Sequence, residues 1–153
     1  MPKCKIISGG AAYDDRGSLK YFNDFDAVSL GIKRFYVVSN NSACDTRAWH
    51  GHFHEGKYVT VVSGSAIIVA IPIEGSFSGG VELGSDIDME RFVLSANQPR
   101  MLYIPPGMFN GARTLEPGTQ IMYFSTSTLE ESKNDDLRVE FSEDFNPFKV
   151  EVR

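Results

Sequence analysis

A succession of short β-forming runs, each closed by a turn signal, sets the strongest limit on how this chain folds. The runs are Arg34 to Val38, Tyr58 to Val62, Ala66 to Ile71, Glu90 to Leu94, Met101 to Ile104 and Thr119 to Phe124. β-Branched and aromatic residues dominate them, the side chains that fit a pleated, half-buried surface. Asn40-Asn41, Ser63-Gly64, Asn97-Gln98-Pro99, Pro105-Pro106-Gly107 and Glu116-Pro117-Gly118 punctuate them with residues suited to tight turns. No long helical pattern intervenes, so the spacing predicts an all-β sandwich or barrel with at most one or two short helices. One such helix is expected at Thr128 to Lys133, capped by Ser127 or Thr128, with Glu130 and Glu131 in its first turn.

Ala66 to Ile71 has no polar face and is expected between two layers, whereas Thr60 and Arg91 interrupt their runs as in strands with one wet or ligand-facing side. Residues 75–88 read as an exposed loop without chemistry of its own. Asn134-Asp135-Asp136 reads as an acidic turn. The alternating Leu137 to Phe141 and the closing Phe145, Phe148 and Val150 read as an edge strand and tail that cover the sheet.

At 153 residues the chain suits one domain, residues 1–153, with a sizeable core. A formal charge of −5 with scattered basic residues gives no face to track a phosphate backbone, which excludes nucleic acid as the expected partner. A few placed arginines could still hold a small anion. Cys4 and Cys44 form no Cys-x-x-Cys pair and argue against a disulfide scaffold. With neither an apolar leader nor a long apolar stretch at hand, the expectation is a cytoplasmic protein that does not enter a membrane.

All three histidines, His50, His52 and His54, fall in one short segment beside Arg47 and Trp49. If that segment is a strand, residues two apart share a face and three imidazoles line one surface. Such a cluster suits a divalent metal or a general base working near neutral pH. Asp15-Arg16-Gly17 adds a second guanidinium beside a glycine turn, and Gln120 to Tyr123 brings a phenol to the end of a strand.

Asp15-Arg16-Gly17, Arg47-Ala48-Trp49-His50, Lys57 to Gly64, Leu94-Ser95-Ala96-Asn97, Ile104-Pro105-Pro106-Gly107 and Met122-Tyr123 follow one another in an order that resembles the dTDP-4-dehydrorhamnose 3,5-epimerase family. The resemblance runs over about residues 13 to 141 and implies a cupin jelly roll. Arg34, Tyr36, Arg47, His50 and His52 also resemble the dTDP-sugar 3,4-ketoisomerases, which share that fold.

The resemblance implies a sugar-nucleotide epimerase acting on a 4-keto-6-deoxy hexose, at C3 and C5 or at C3 alone. His50 would be the base, Tyr123 the acid on the opposite face and Lys57 the stabiliser of the enolate oxygen. Arg16 and Arg47 would hold the diphosphate, with Tyr36 and Asn110 also at the substrate. As a 3,4-ketoisomerase the chain would instead use His50 and His52 to move a proton between neighbouring carbons, with Tyr36 as a helper. A cupin that binds a sugar nucleotide without catalysis is the third possibility. The resemblance implies no cofactor, and Asn110 stands where metal-binding cupins place a late histidine. Glu55 is off the spacing of their glutamate. A homodimer is the expected assembly.

Two departures matter. The Leu-Ser-x-Lys-Asp stretch, whose aspartate pairs with the family's catalytic histidine, has no counterpart, and Ser127-Thr128-Leu129 replaces the usual tyrosine pair. Another carboxylate is therefore expected to orient His50, unless the ketoisomerase reading holds.

Overall fold

A computed structural model describes residues 1–74 and 88–153. In chain order the elements are β1 (Lys5–Ser8), β2 (Gly10–Asp14), β3 (Gly17–Tyr21), β4 (Arg34–Ser39), β5 (Thr46–His52), β6 (Lys57–Ser63) and β7 (Ser65–Pro72). There follow β8 (Glu90–Ser95), β9 (Arg100–Ile104), β10 (Met108–Thr114), β11 (Gln120–Ser125), the helix α1 (Leu129–Lys133) and β12 (Leu137–Arg138). One antiparallel sheet has the order β1-β9-β6-β11-β4 and the other β12-β5-β10-β7-β8, while β2 and β3 form a separate hairpin. The two sheets make the sandwich that the alternation of runs and turns predicts.

The apolar run in β7 shows how the layers stack. Ala66, Ile68 and Ala70 face the other sheet and pack with Val59, Val61, Leu102, Ile104 and Ile121. Ile67, Val69 and Ile71 face the opposite way and meet Trp49, Phe109 and Phe148. A strand buried on both faces has no polar side, as its sequence says. The second layer of cover comes from the C-terminal tail: Leu137, Val139, Phe141 and Phe145 lie over the same aromatic cluster. Val139 and Trp49 exchange backbone hydrogen bonds, N–H to carbonyl in both directions. Val150 does not join the cover; beyond the buried Phe148 the chain turns outward and leaves it exposed.

Two glycines are fixed by their surroundings. Gly64 closes the β6–β7 turn at φ +74, a conformation that L side chains rarely adopt. Gly51 separates His50 from His52, and a Cβ there would meet the Phe109 ring at 2.6 Å. α1 begins as expected, with the Thr128 hydroxyl accepting from the Glu131 N–H.

Other expectations need correction. The histidine segment is a strand only as far as His52, so His54 falls in the following turn, exposed, and the three imidazoles do not share one face. Thr60 is buried and not on a wet side, whereas Arg91 is exposed, as a wet side requires. The Thr60 hydroxyl donates to the Arg100 carbonyl, and Arg91 donates to the carbonyls of Pro147 and Lys149, which fastens the tail. The loop expected at residues 75–88 lies outside the described residues except for Asp88, which pairs with Lys3 at 3.0 Å. No helix among the described residues is long and apolar enough to cross a membrane.

Candidate active site

β5 places His50 and His52 on the inward face of one sheet, and β6, β11 and β4 bring Lys57, Tyr123 and Tyr36 from the other. They line one cavity of about 320 Å³, in the range that takes a small-molecule ligand. β10 adds Asn110, which is opposite His50 in register and donates from Nδ2 to the His50 carbonyl at 3.2 Å. Arg47 stands at the mouth, with Nε donating to Asn40 Oδ1 at 2.7 Å. The segment after β11 supplies the remaining wall: α1 gives Ser132 and Lys133, Asp136 precedes the short β12, and Arg138 within β12 is opposite His50.

The electrostatics suit an anion. Arg34, Arg47, Lys57, Lys133 and Arg138 line the cavity against a single carboxylate, Asp136, although the chain as a whole is acidic. Lys57 is buried, and its ammonium makes no hydrogen bond or ion pair with a side chain among the described residues. Burial pushes its ammonium below the usual lysine range, with Glu55 and Asp136 pulling the other way. Burial also lowers the His50 pKa, helped by Lys57 and Arg138 and opposed by Asp136. Neutral imidazole is the form that can take a proton. Tyr123 and Tyr36 are cross-strand partners with rings stacked at 5.0 Å. Burial raises both phenols well above their ordinary value, so each keeps its proton at working pH.

His52 is held differently from His50. Its Nδ1 lies 2.8 Å from the Asp135 carbonyl oxygen and its Nε2 lies 3.2 Å from Glu55 Oε2, so both ring nitrogens are occupied by the protein. Burial and Lys57 push its pKa down, while Glu55 pulls it up. The buried Glu55 carboxylate also accepts from the hydroxyls of Ser125 and Ser132, and Arg34 Nη2 approaches it at 3.4 Å. Asp135 fixes the turn that carries Glu55 by accepting the backbone N–H groups of Phe53, His54 and Glu55. Burial works against that carboxylate, but the three N–H donors outweigh it and hold its pKa low.

His50, His52, Lys57, Tyr123, Tyr36, Arg47 and Asn110 thus meet in one cavity. Arg16 does not. It sits on the β2–β3 hairpin, exposed and paired with Asp14, and is no part of this chain's own cavity. Sequence reasoning named Arg34 without giving it a role, set Glu55 aside as a metal ligand, and missed Asp136 and Arg138. A signal for the last two was present: the alternation of Leu137, Val139 and Phe141 toward the aromatic cluster sends Asp136 and Arg138 to the other side. The acidic turn read as bland is therefore part of the cavity wall. Among the described residues, no group of three His, Cys, Asp or Glu side chains could hold a metal ion.

The family model for dTDP-4-dehydrorhamnose 3,5-epimerase matches residues 1–144. The chain belongs to that family. Its members are sugar-nucleotide isomerases, and this chain is an isomerase of that class. No curated protein sequence matches it. Among solved structures it is similar to the dTDP-4-dehydrorhamnose 3,5-epimerase from Bacillus anthracis, at 20% identity and a TM-score of 0.76, over 97% of this chain and 86% of that one. The Mycobacterium tuberculosis epimerase gives 20% identity and a TM-score of 0.70, over 89% of this chain and 68% of that one. A 3,4-ketoisomerase from Helicobacter canadensis gives 21% and 0.66, over 91% and 92%. The fold is the cupin jelly roll of these proteins.

Proposed function

We propose that this enzyme epimerises a nucleoside-diphosphate 4-keto-6-deoxy hexose by removing a proton next to the ketone. The observation that carries the reading is the opposition of His50 and Tyr123, which reach one cavity from facing sheets with the unpaired Lys57 between the same walls. A ketone acidifies the adjacent C–H. His50 takes that proton, the electron pair moves onto the ketone oxygen, and the Lys57 ammonium lowers the energy of the resulting enolate. Tyr123 then gives its phenolic proton to the carbon from the other face, which inverts the centre. Asp136 is the cavity carboxylate that acts on His50.

Arg47, with Arg34, Lys133 and Arg138 around the mouth, holds the diphosphate; Tyr36 and Asn110 complete the sugar pocket. The Bacillus anthracis relative was solved with TDP and PPi bound, which supports a nucleotide ligand of the same type here. Arg16 can serve a cavity only across a subunit boundary. We propose a homodimer, supported by Phe35, Val37 and Val62 exposed on the β4–β6 sheet and by Tyr13 and Leu19 exposed on the Arg16 hairpin. The free Cys4 and Cys44 are consistent with a cytoplasmic enzyme.

Ketone migration is the second reading, favoured by the presence of His50 and His52 in one cavity and by the similarity to 3,4-ketoisomerases. The engagement of both His52 nitrogens weighs against it. Proton NMR of a dTDP-4-keto-6-deoxy hexose in deuterium oxide decides. Epimerisation gives deuterium at C3, or at C3 and C5, with inverted product; migration gives a 3-keto sugar. Absence of both products with this substrate would sink the proposal.

A further inference from the structure

The hydrogen bonding of His52 leaves one proton to be placed. A carbonyl oxygen can only accept, so His52 Nδ1, 2.8 Å from the Asp135 carbonyl, carries a hydrogen. On the other side Nε2 lies 3.2 Å from Glu55 Oε2. An unprotonated Nε2 facing an ionised carboxylate would set lone pair against lone pair, and both side chains are shut away from water, at 6% and 0% exposure. One proton between Nε2 and Oε2 removes the conflict. Whichever atom holds it, imidazolium with carboxylate or imidazole with carboxylic acid, the pair has no net charge.

We propose that His52 and Glu55 share this buried proton as a neutral pair, and that its neutrality leaves the Lys57 ammonium uncompensated for the oxyanion that develops on the substrate. The inference rests on the enolate-stabilising role given to Lys57 above. Glu55 is then a positioning residue, as is His52, because neither has a polar atom free to touch the sugar. Four elements hold the carboxylate in place: Arg34 from β4, Ser125 from β11, Ser132 from α1 and the His52 ring from β5. Without that proton Glu55 would be an anion shared between Arg34, 3.4 Å away, and Lys57, and would weaken the pull of Lys57 on the enolate. The charged and titratable groups that act on Lys57 are Arg34, His50, His52, Glu55 and Asp136.

Amide substitutions test this because they keep hydrogen-bonding capacity while changing charge. Glu55→Gln replaces a neutral pair by another neutral pair, so its kcat should fall less than that of the charged alternative, His52→Gln. His52→Gln can still donate to Glu55 but supplies no shared proton, so it leaves an anion beside Lys57 and should lower kcat roughly tenfold or more, with KM changing less. The double variant, neutral again, should be faster than His52→Gln alone. His52→Asn stands in if the longer amide does not fold. A double variant as slow as His52→Gln would overturn the proposal and make His52 a proton carrier in its own right. Loss of kcat in Glu55→Gln equal to that in His52→Gln would overturn it too.

A second readout does not depend on the reaction. Titration of Lys57 by side-chain carbon-13 NMR should give a low pKa in wild type, Glu55→Gln and the double variant, and a higher one in His52→Gln, because an adjacent anion favours the ammonium. An unchanged Lys57 titration in His52→Gln would refute the shared proton. If wild type turns over no 4-keto-6-deoxy sugar nucleotide, the epimerase reading fails while this titration still decides the pair.

Discussion

The two faces of β5 are built from opposite materials. Toward the cavity the strand presents His50 and His52 among lysine, arginine and buried carboxyl groups; toward the tail it presents Trp49, packed on Phe145 and Phe148 at ring separations of 6.1 and 5.3 Å. The dry face makes a firm support from dispersion and burial alone. The wet face carries charges that would be costly in an interior without mutual partners. The difference teaches a division of labour: the tail face holds the strand still so that the cavity face can keep Lys57 unpaired and His50 neutral.

That division is broken most directly by His50→Ala, which should cut turnover by ~10²–10⁴-fold while leaving the melting temperature and nucleotide binding close to wild type. A variant keeping half of the wild-type rate would remove His50 from the mechanism. Phe148→Ala is the reciprocal change. It empties a fully buried site and should cost about 3–5 kcal/mol in urea unfolding, with kcat of the remaining folded protein changed far less. Equal loss of activity and stability in both variants would dissolve the distinction between the faces.

Tyr123→Phe removes only a hydroxyl and should suppress inversion about tenfold or more while α-proton exchange into deuterium oxide persists. If inversion continues at the wild-type rate, another acid serves the opposite face. Arg47→Ala should raise KM roughly tenfold with a smaller change in kcat, since the rim acts on the diphosphate rather than on the reacting carbon. Unchanged affinity for a nucleoside diphosphate would contradict that role.

The smallest effect concerns pH. Burial, Lys57 and Arg138 hold the His50 pKa down, so the acidic limb of kcat/KM should lie below the ordinary imidazole value of about 6.5. Arg138→Gln removes one cation and releases Asp136, whose carboxylate now accepts from Arg138 at 2.8 Å. Both changes favour the imidazolium, so the limb should move to higher pH. The same sign governs stability: a folded pKa below the unfolded one contributes stability above the unfolded value, and this is lost as pH falls through the folded value.

Residue types made much of this legible. The runs now in β4, β6, β7, β8, β9 and β11 stand out because buried strands need β-branched and aromatic residues without interruption. β10 was not visible, since Asn110, Gly111 and Arg113 break its pattern. Asn110 serves the cavity, and Gly111 admits Ala48 and Phe148, with a Cβ there meeting them at 2.6 and 2.8 Å. β1 to β3 were missed because their mostly exposed residues carry no strong apolar alternation. In the site, His50, Lys57 and Tyr123 are legible as chemistry from their types and their resemblance to a family. Glu55 and Asp136 are not, because what makes each matter is the return of the chain about 80 residues later, when α1 and β12 close over β5.

Gly51 ties the inheritance of the two faces together. Because the Phe109 ring occupies the space where a Cβ at position 51 would stand, neither residue can drift alone: a side chain at 51 demands that 109 shrink first, and a lost ring at 109 opens a void behind both histidines. Mutational routes through this part of the molecule therefore have an order, with position 109 changing before position 51.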